Sequence, residues 1–392
     1  MSMTDEISEQ GRVFLDRARS LESDILAARA EMDRDRCIPA PLVQRLRDAE
    51  MFHLWLPRSI GGPQLHPVDF IAVIEELSRA DGSVGWCAAN ASVNSMISGS
   101  LPEASTRHMY SDRAVGCGSL LPGGKAVVVP GGYRRSGRWN YATGIVHSGW
   151  MTANSVIMEN GAPRLTEAKT PELRFLFIPV DQGTIIDAWD VSGMRGTGSH
   201  DFEVHDLFVP DDLTTPTFVN TPMHPGTLYQ VPRMSLFTVA IGSVPLGIAR
   251  SALDSLVALA QDKVPMGAAA PLREKVTAQI AAGQAEALLR AARAGLVAAV
   301  NRMWEEVDAG KPPSLDSRGA VRLAATFATE ASARVVDLVQ NAAGGSALFE
   351  SGRIARCFRD VHAATSHIGL HTNNYEACGR FLFGMDPGTP RF

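Results

Sequence analysis

The stretch MRGTGSHDFEVHDLFVP, residues 194–210, decides the architecture. Its first half places Gly196 and Gly198 two apart, which suits a tight turn. Its second half alternates and stops at Val209-Pro210. Alternation marks a strand with two faces, and a terminal proline ends the ladder by removing a donor. Ser199 or Asp201 is expected to cap the turn. Residues 112–193 share this texture: AVGCGSL, KAVVV, NSVIM and RFLFIPV are short β-branched or aromatic runs broken by glycine and proline. They predict a compact antiparallel β-domain.

Farther out, the chain turns helical on both sides. GRVFLDRARSLESDILAARAEMDRDR carries Val13, Leu21, Ile25 and Ala28 at helical spacing, and HPVDFIAVIEELSRADGS does the same with Phe70, Val73, Ile74 and Leu77. VGWCAANASVNSMIS is small and apolar throughout, as befits a helix packed on all sides. Beyond about residue 233 the chain is alanine-rich. Leu289, Leu296, Val300 and Met303 form one stripe, and Phe327, Ala331, Val335 and Leu338 another. Alanine-rich helices approach closely and make bundles. The expected fold is mainly α with an inserted β-domain: a helical domain over 1–112, a β-domain over 113–215 and a four-helix bundle over 216–392.

Composition narrows the function. Hydrophobic residues make up 45% of the 392 and charged residues 20%, enough apolar material for a core. A net charge of -5 without a Lys/Arg block offers no footprint for nucleic acid. No apolar run reads as a membrane span, and the polar, acidic N-terminus MSMTDEISEQGRVF is unlike a secretion signal. The five cysteines are scattered without a CxxC pair and read as reduced thiols, so a cytoplasmic location is expected. The ten histidines include no HExxH, and no metal centre is expected on motif grounds.

The order of domains, together with SRADGSVGW, WDVSGMRGTGSHDFEVHDLFVP, NAAGGSALFESGRIARCFRD and a final helix ending in Arg380, resembles the acyl-CoA dehydrogenase superfamily over nearly the whole chain. The resemblance implies a flavin cleft between β-domain and bundle, and assembly into homotetramers. A dehydrogenase needs a carboxylate base for the proton α to a thioester. In many members that glutamate follows the RD pair by about eight residues. After Arg359-Asp360 the matching stretch is TSHIGL, with no acid. Glu376 lies two turns on, about 12 Å along a continuous helix.

GSLLPGGKAVVVPGGYRRSGRWNYATGIVHSGW, residues 118–150, instead resembles the β-domain signature of the two-component flavin monooxygenases, and His367 matches their final-helix histidine. That branch implies reduced flavin, FADH2 or FMNH2, supplied by a separate NAD(P)H-flavin reductase. It also implies molecular oxygen, a C4a-hydroperoxide, and a small aromatic substrate, indole-like or phenolic. No GxGxxG follows a strand, so the chain shows no nicotinamide site of its own. A dehydrogenase and a non-catalytic helical scaffold stand as alternatives.

Candidate residues follow. His367 is the proton donor candidate, against a core histidine bonded to a backbone carbonyl. Thr143 stands where the resemblance expects a serine at flavin N5, against a plain strand threonine. Trp139 and Tyr141 alternate with Thr143 and either wall the flavin ring or fill the β-core. Ser119 is a second hydroxyl candidate. Trp86, Asn90 and Asn94 lie on one helix, where Asn90 and Asn94 share a face and either orient a substrate or make helix contacts. Asn341, Gly344 and Gly345 in NAAGGSALF are the candidates for the cofactor phosphates, against a plain turn between helices. The resemblance places Lys263 and Gln279 at a neighbouring subunit's flavin tail, although VPMGAAAP departs from the usual pattern between them.

Overall fold

A computed structural model describes residues 7–389 and 392. The N-terminal part holds α1 (Glu9–Ser20), α2 (Glu22–Asp35), α3 (Ala40–Asp48), α4 (Pro67–Ala80), α5 (Gly82–Ser98) and α6 (Glu103–Met109). Asp81 explains the SRADGS punctuation. It terminates α4 and caps α5, its Oδ1 accepting from the Ser83 N–H at 3.0 Å. Every residue of α5 except Asn90 is buried, so its lack of an amphipathic stripe reflects neighbours on all sides. The stripe expected from Val13 to Ala28 is interrupted: the helix breaks at Leu21, Phe14 and Leu15 face the core, and Val13 is exposed.

The strands are β1 (Gly116–Val129), β2 (Gly132–Ala142), β3 (Trp150–Glu159), β4 (Ala162–Pro163), β5 (Leu173–Pro179), β6 (Thr184–Ile186), β7 (His200–Pro210) and β8 (Thr214–Pro216). They form one sheet in the order β6-β7-β2-β1-β3-β5-β8, with β4 against β3. The sheet is mixed, not antiparallel throughout, because β1 and β3 run parallel. After the β1–β2 hairpin, β3 reverses direction again and joins the far edge of β1, so the two must point the same way. The 194–210 stretch becomes a 3-10 turn and β7, which pairs along β2 as far as Gly132 and Pro210. Trp139, Phe202, Ile157 and Leu176 lead a core of the β-domain's own.

The C-terminal part is built from α7 (Arg233–Asp262), α8 (Val276–Asp308), α9 (Leu315–Ala343), α10 (Arg353–Thr365) and α11 (Asn373–Leu382). Helix α7 packs on α4, α5, α9 and α10, and α8 packs on α9. By length and composition α7 could cross a membrane, a feature the sequence reading missed. In the fold 94% of its apolar window is buried, so it is the central core helix. On α9, Ala331 and Val335 are buried as expected, whereas Phe327 is largely exposed. The β-domain face carrying Phe175 and Phe177 joins the helical core, so a cleft opens where the two layers meet.

Candidate active site

That cleft holds a cavity of about 320 Å³. Its walls come from α5, β1, the end of β2, the 194–199 turn, α7 and the segment after α10. Close contact between α5 and β1 depends on glycine. A Cβ at Gly118 would lie 2.4 Å from the Thr152 carbonyl oxygen and 3.0 Å from Asn94 Oδ1. Gly118→Val is therefore expected to lower the unfolding free energy by about 2 kcal/mol in urea titrations. Gly283→Ala on α8, where nothing lies within 4 Å, is the control and should be neutral or slightly stabilising.

Trp86, Asn90 and Asn94 all line the cavity. The Asn90 side-chain N–H donates to the Trp86 carbonyl and that of Asn94 to the Asn90 carbonyl, both at 2.9 Å. With the amide nitrogens turned to the helix, the Oδ1 atoms are the acceptors left for other partners.

The end of β2 departs from simple alternation. Tyr141 has φ +64°, and the β2–β7 register shifts between Trp139 and Ala142. Trp139 consequently points into the β-core, fully buried, stacked on Phe202 and donating to the Asn154 carbonyl at 2.7 Å. Of its two sequence readings, the core one matches this placement. Tyr141 and Thr143 reach the cavity, as does Ser119. Thr143 is buried, and its Oγ1 lies 2.9 Å from Ser199 Oγ. Ser199, one of the two expected caps, enters the cavity wall beside Thr197, and Asp201, the other, accepts from Arg138 and Asn140. Strand alternation does not account for this placement, because Thr197 ends a 3-10 turn and Gly198 is left-handed at φ +50°, before the strand begins at His200.

His367 also lines the cavity, but not from a helix. Helix α10 ends at Thr365 and α11 starts at Asn373, so the rise estimate to Glu376 does not apply, and Glu376 is exposed. The turn between them is fixed by Asn374, whose Nδ2 donates to the Gly369 carbonyl at 3.0 Å. The Gly369 N–H donates to His367 Nδ1 at 3.0 Å. In the neutral ring the proton therefore sits on Nε2, which becomes a donor. The ring packs edge-on to Trp86 at 5.5 Å and tilted against Phe237 at 5.6 Å. Phe175, Trp189, Met194 and Phe237 complete much of the apolar wall. Nothing local in the sequence marks these four, because separate elements bring them together.

A buried ionic cluster holds the 194–199 turn. Arg356 on α10 pairs with Asp81 at 2.7 Å and Asp33 at 2.6 Å, and Asp360 Oδ1 accepts from the Met194 N–H at 2.6 Å. Burial pushes the Asp360 carboxyl up to about 6, opposed by Arg356 and reinforced by Asp81.

Among the described residues lining the cavity there is no Asp, Glu, Lys or Arg. The apolar walls suit a flat ring system, and the hydroxyls of Thr143 and Ser119 suit its polar edge. This set of groups fits the ring of a flavin. The phosphate candidates lie elsewhere. Asn341 and Gly344 line a surface groove with Phe358 and Asp337, and Gly345 lies next in the turn. Lys263 Nζ donates to the Ala343 carbonyl beside them, while Gln279 at the start of α8 donates to the Arg273 carbonyl at 2.9 Å. None of these five lines the main cavity.

Comparison with known proteins agrees with this geometry. Residues 8–106 match the acyl-CoA dehydrogenase N-terminal domain model and residues 239–372 the C-terminal domain model. An indole-3-acetate monooxygenase of Pseudomonas putida is 31% identical, over 91% of this chain and 90% of its own. The oxygenase component of an FADH2-dependent resorcinol hydroxylase from Rhizobium is 27% identical, over 91% and 90%. The crystal structure of the HsaA monooxygenase from M. tuberculosis superposes with a TM-score of 0.90 at 25% identity, covering 97% of this chain and all of that one.

Proposed function

The chain belongs to the acyl-CoA dehydrogenase family, and from that premise we propose that it is the oxygenase component of a two-component flavin-dependent monooxygenase acting on a small aromatic ring. One observation carries the choice within the family. The cavity offers a histidine N–H and a row of hydroxyls where a dehydrogenase would need a carboxylate base, and none of its described lining residues is acidic.

Bound reduced flavin supplies the electrons with which one atom of dioxygen enters the substrate and the other leaves as water. The protein's residues do the rest. Thr143 Oγ1 would accept a hydrogen bond from the flavin edge, with Ser119 a second hydroxyl in the same cavity. His367 Nε2–H would donate a hydrogen bond to the oxygen that takes up the proton. Trp86, Phe175 and Phe237 keep water out, which protects a reduced cofactor from wasteful reaction. Asn90 and Asn94 accept from a phenol O–H or an indole N–H. Asn341, Gly344, Gly345, Lys263 and Gln279 are assigned to the cofactor's phosphate tail, with Lys263 and Gln279 serving a neighbouring subunit. The exposed Val264 and Met266 after Lys263, and Val276 and Ile280 flanking Gln279, support assembly, proposed as a homotetramer, through these residues. A separate NAD(P)H-flavin reductase supplies the reduced cofactor in the cytoplasm.

The test mixes the protein with chemically reduced flavin, oxygenated buffer and a panel of phenols and indoles. Hydroxylated product is expected. An acyl-CoA that bleaches tightly bound oxidised flavin under anaerobic conditions would overturn the reading.

The cavity also bears on substrate charge. A carboxylate buried without a cationic partner costs several kcal/mol, and no Lys or Arg lines the described cavity. Indole or a simple phenol is therefore expected to show a kcat/KM at least about tenfold above its acetate-bearing analogue, one missing charge-assisted hydrogen bond. Equal values in competition assays would contradict this.

A further inference from the structure

Thr143 does not stand alone. Its Oγ1 is 2.9 Å from Ser199 Oγ, Ser199 Oγ is 2.8 Å from Thr197 Oγ1, and Thr197 Oγ1 donates to the Met194 carbonyl at 2.9 Å. All three hydroxyls are buried.

The direction of this chain follows from its end. A carbonyl can only accept, so the one hydroxyl proton of Thr197 goes to Met194. The Thr197–Ser199 contact must then use the Ser199 proton, and the Thr143–Ser199 contact must use the Thr143 proton. Thr143 consequently spends its only proton inward and shows the cavity lone pairs alone. All three residues line the cavity, so the order is set by the Met194 carbonyl at the end of the chain rather than by burial.

A flavin changes hydrogen-bonding character at N5 when it changes redox state. The reduced ring carries an N–H there, and the oxidised ring carries only a lone pair. An acceptor-only hydroxyl attracts the first and repels the second. We infer that the Thr143–Ser199–Thr197 chain sets the redox preference of the site, with Ser199 and Thr197 as positioning residues that make it hold reduced flavin and release oxidised flavin. This rests on the reading above that Thr143 meets flavin N5. It gives a function to the two hydroxyls of RGTGS that otherwise look architectural, and it suits an enzyme that must exchange cofactor with a reductase in every cycle.

The experiment measures dissociation constants for oxidised FAD and for dithionite-reduced FAD under anaerobic conditions, repeated with FMN. The quantity read is the ratio of the oxidised to the reduced constant. In Ser199→Ala the Thr143 O–H is free to turn outward and donate to the oxidised ring, so the ratio should fall about tenfold, the size of one hydrogen bond. The potential of the bound flavin should move down by about 30 mV as the preference for the reduced form weakens. Thr197→Val, which keeps the shape and removes the terminal donor, should lower the ratio in the same direction. It also serves if Ser199→Ala does not fold. Ser199→Thr, which restores a hydroxyl, should recover the wild-type ratio.

Thr143→Val separates this inference from its premise. If Thr143→Val shifts the ratio while Ser199→Ala and Thr197→Val leave it unchanged, the directed chain is refuted and the Thr143 assignment survives. If none of the three shifts it, Thr143 does not meet N5, and the inference falls with the assignment.

Discussion

Replacing His367 with alanine is expected to cut the rate of aromatic hydroxylation about 100-fold, the lower range for a side chain positioned at a proton-transfer step. Three features make the effect large. The Gly369 N–H on Nδ1 fixes the tautomer, so the neutral ring has a single donor, Nε2. Trp86 and Phe237 pack against the ring and hold its plane. No described Asp, Glu, Lys or Arg lines the cavity to replace the lost donor. Flavin affinity should stay within about threefold, since the apolar walls and the Thr143 hydroxyl remain. Oxygen consumption should continue, with hydrogen peroxide released in place of hydroxylated product. His367→Gln keeps a hydrogen-bond donor but not the ring that Trp86 and Phe237 hold in place, so it should restore cofactor placement and only part of the rate. The measurement is product against peroxide per reduced flavin consumed. Wild-type coupling in the alanine variant would remove His367 from the mechanism.

Much of this site could be read from the sequence, and the exceptions have physical causes. The change of texture from helical stripes to short β-branched runs signals the inserted sheet, because periodicity is local. The parallel pairing of β1 with β3 is invisible at that level, because which edge a third strand joins depends on contacts remote in the chain. Alternation places Trp139, Tyr141 and Thr143 on one face, yet the left-handed Tyr141 and the register shift beside it send Trp139 into the β-core and the other two to the cavity. His367 reads as helical in TSHIGL, whereas a turn held by Asn374 and closed by Gly369 presents it. A Cβ on Gly369 would come within 2.7 Å of Ile241. Phe175 and Phe237 carry no signature at all, since an apolar residue that lines a cleft has the same local pattern as one that fills a core.

Asp360 is the second residue whose loss should be costly. It ties α10 to the turn that carries Thr197 and Ser199 by accepting from the Met194 N–H at 2.6 Å. Met194 is left-handed at φ +56°, a conformation that costs a non-glycine residue about 1 kcal/mol or more and so needs to be held. Asp360→Ala leaves that N–H without its acceptor and removes one carboxylate from around Arg356. Together these should lower stability by about 3 kcal/mol and weaken flavin binding through the displaced turn. Asp360→Asn keeps an acceptor oxygen and removes the titration. Burial raises the Asp360 carboxyl from its ordinary 3.8 to about 6, so between those values the folded state binds the proton more tightly than the unfolded chain. The stability this group contributes is therefore complete below about pH 4 and declines as pH rises through about 6. The advantage of wild type over Asp360→Asn should accordingly be larger at about pH 5 than at about pH 7.5 in urea unfolding. Parallel curves for the two proteins would mean that Asp360 is fully ionised throughout. The turn would then be held by charge on Met194 N–H and Arg356 rather than by a carboxyl that shares its proton with the fold.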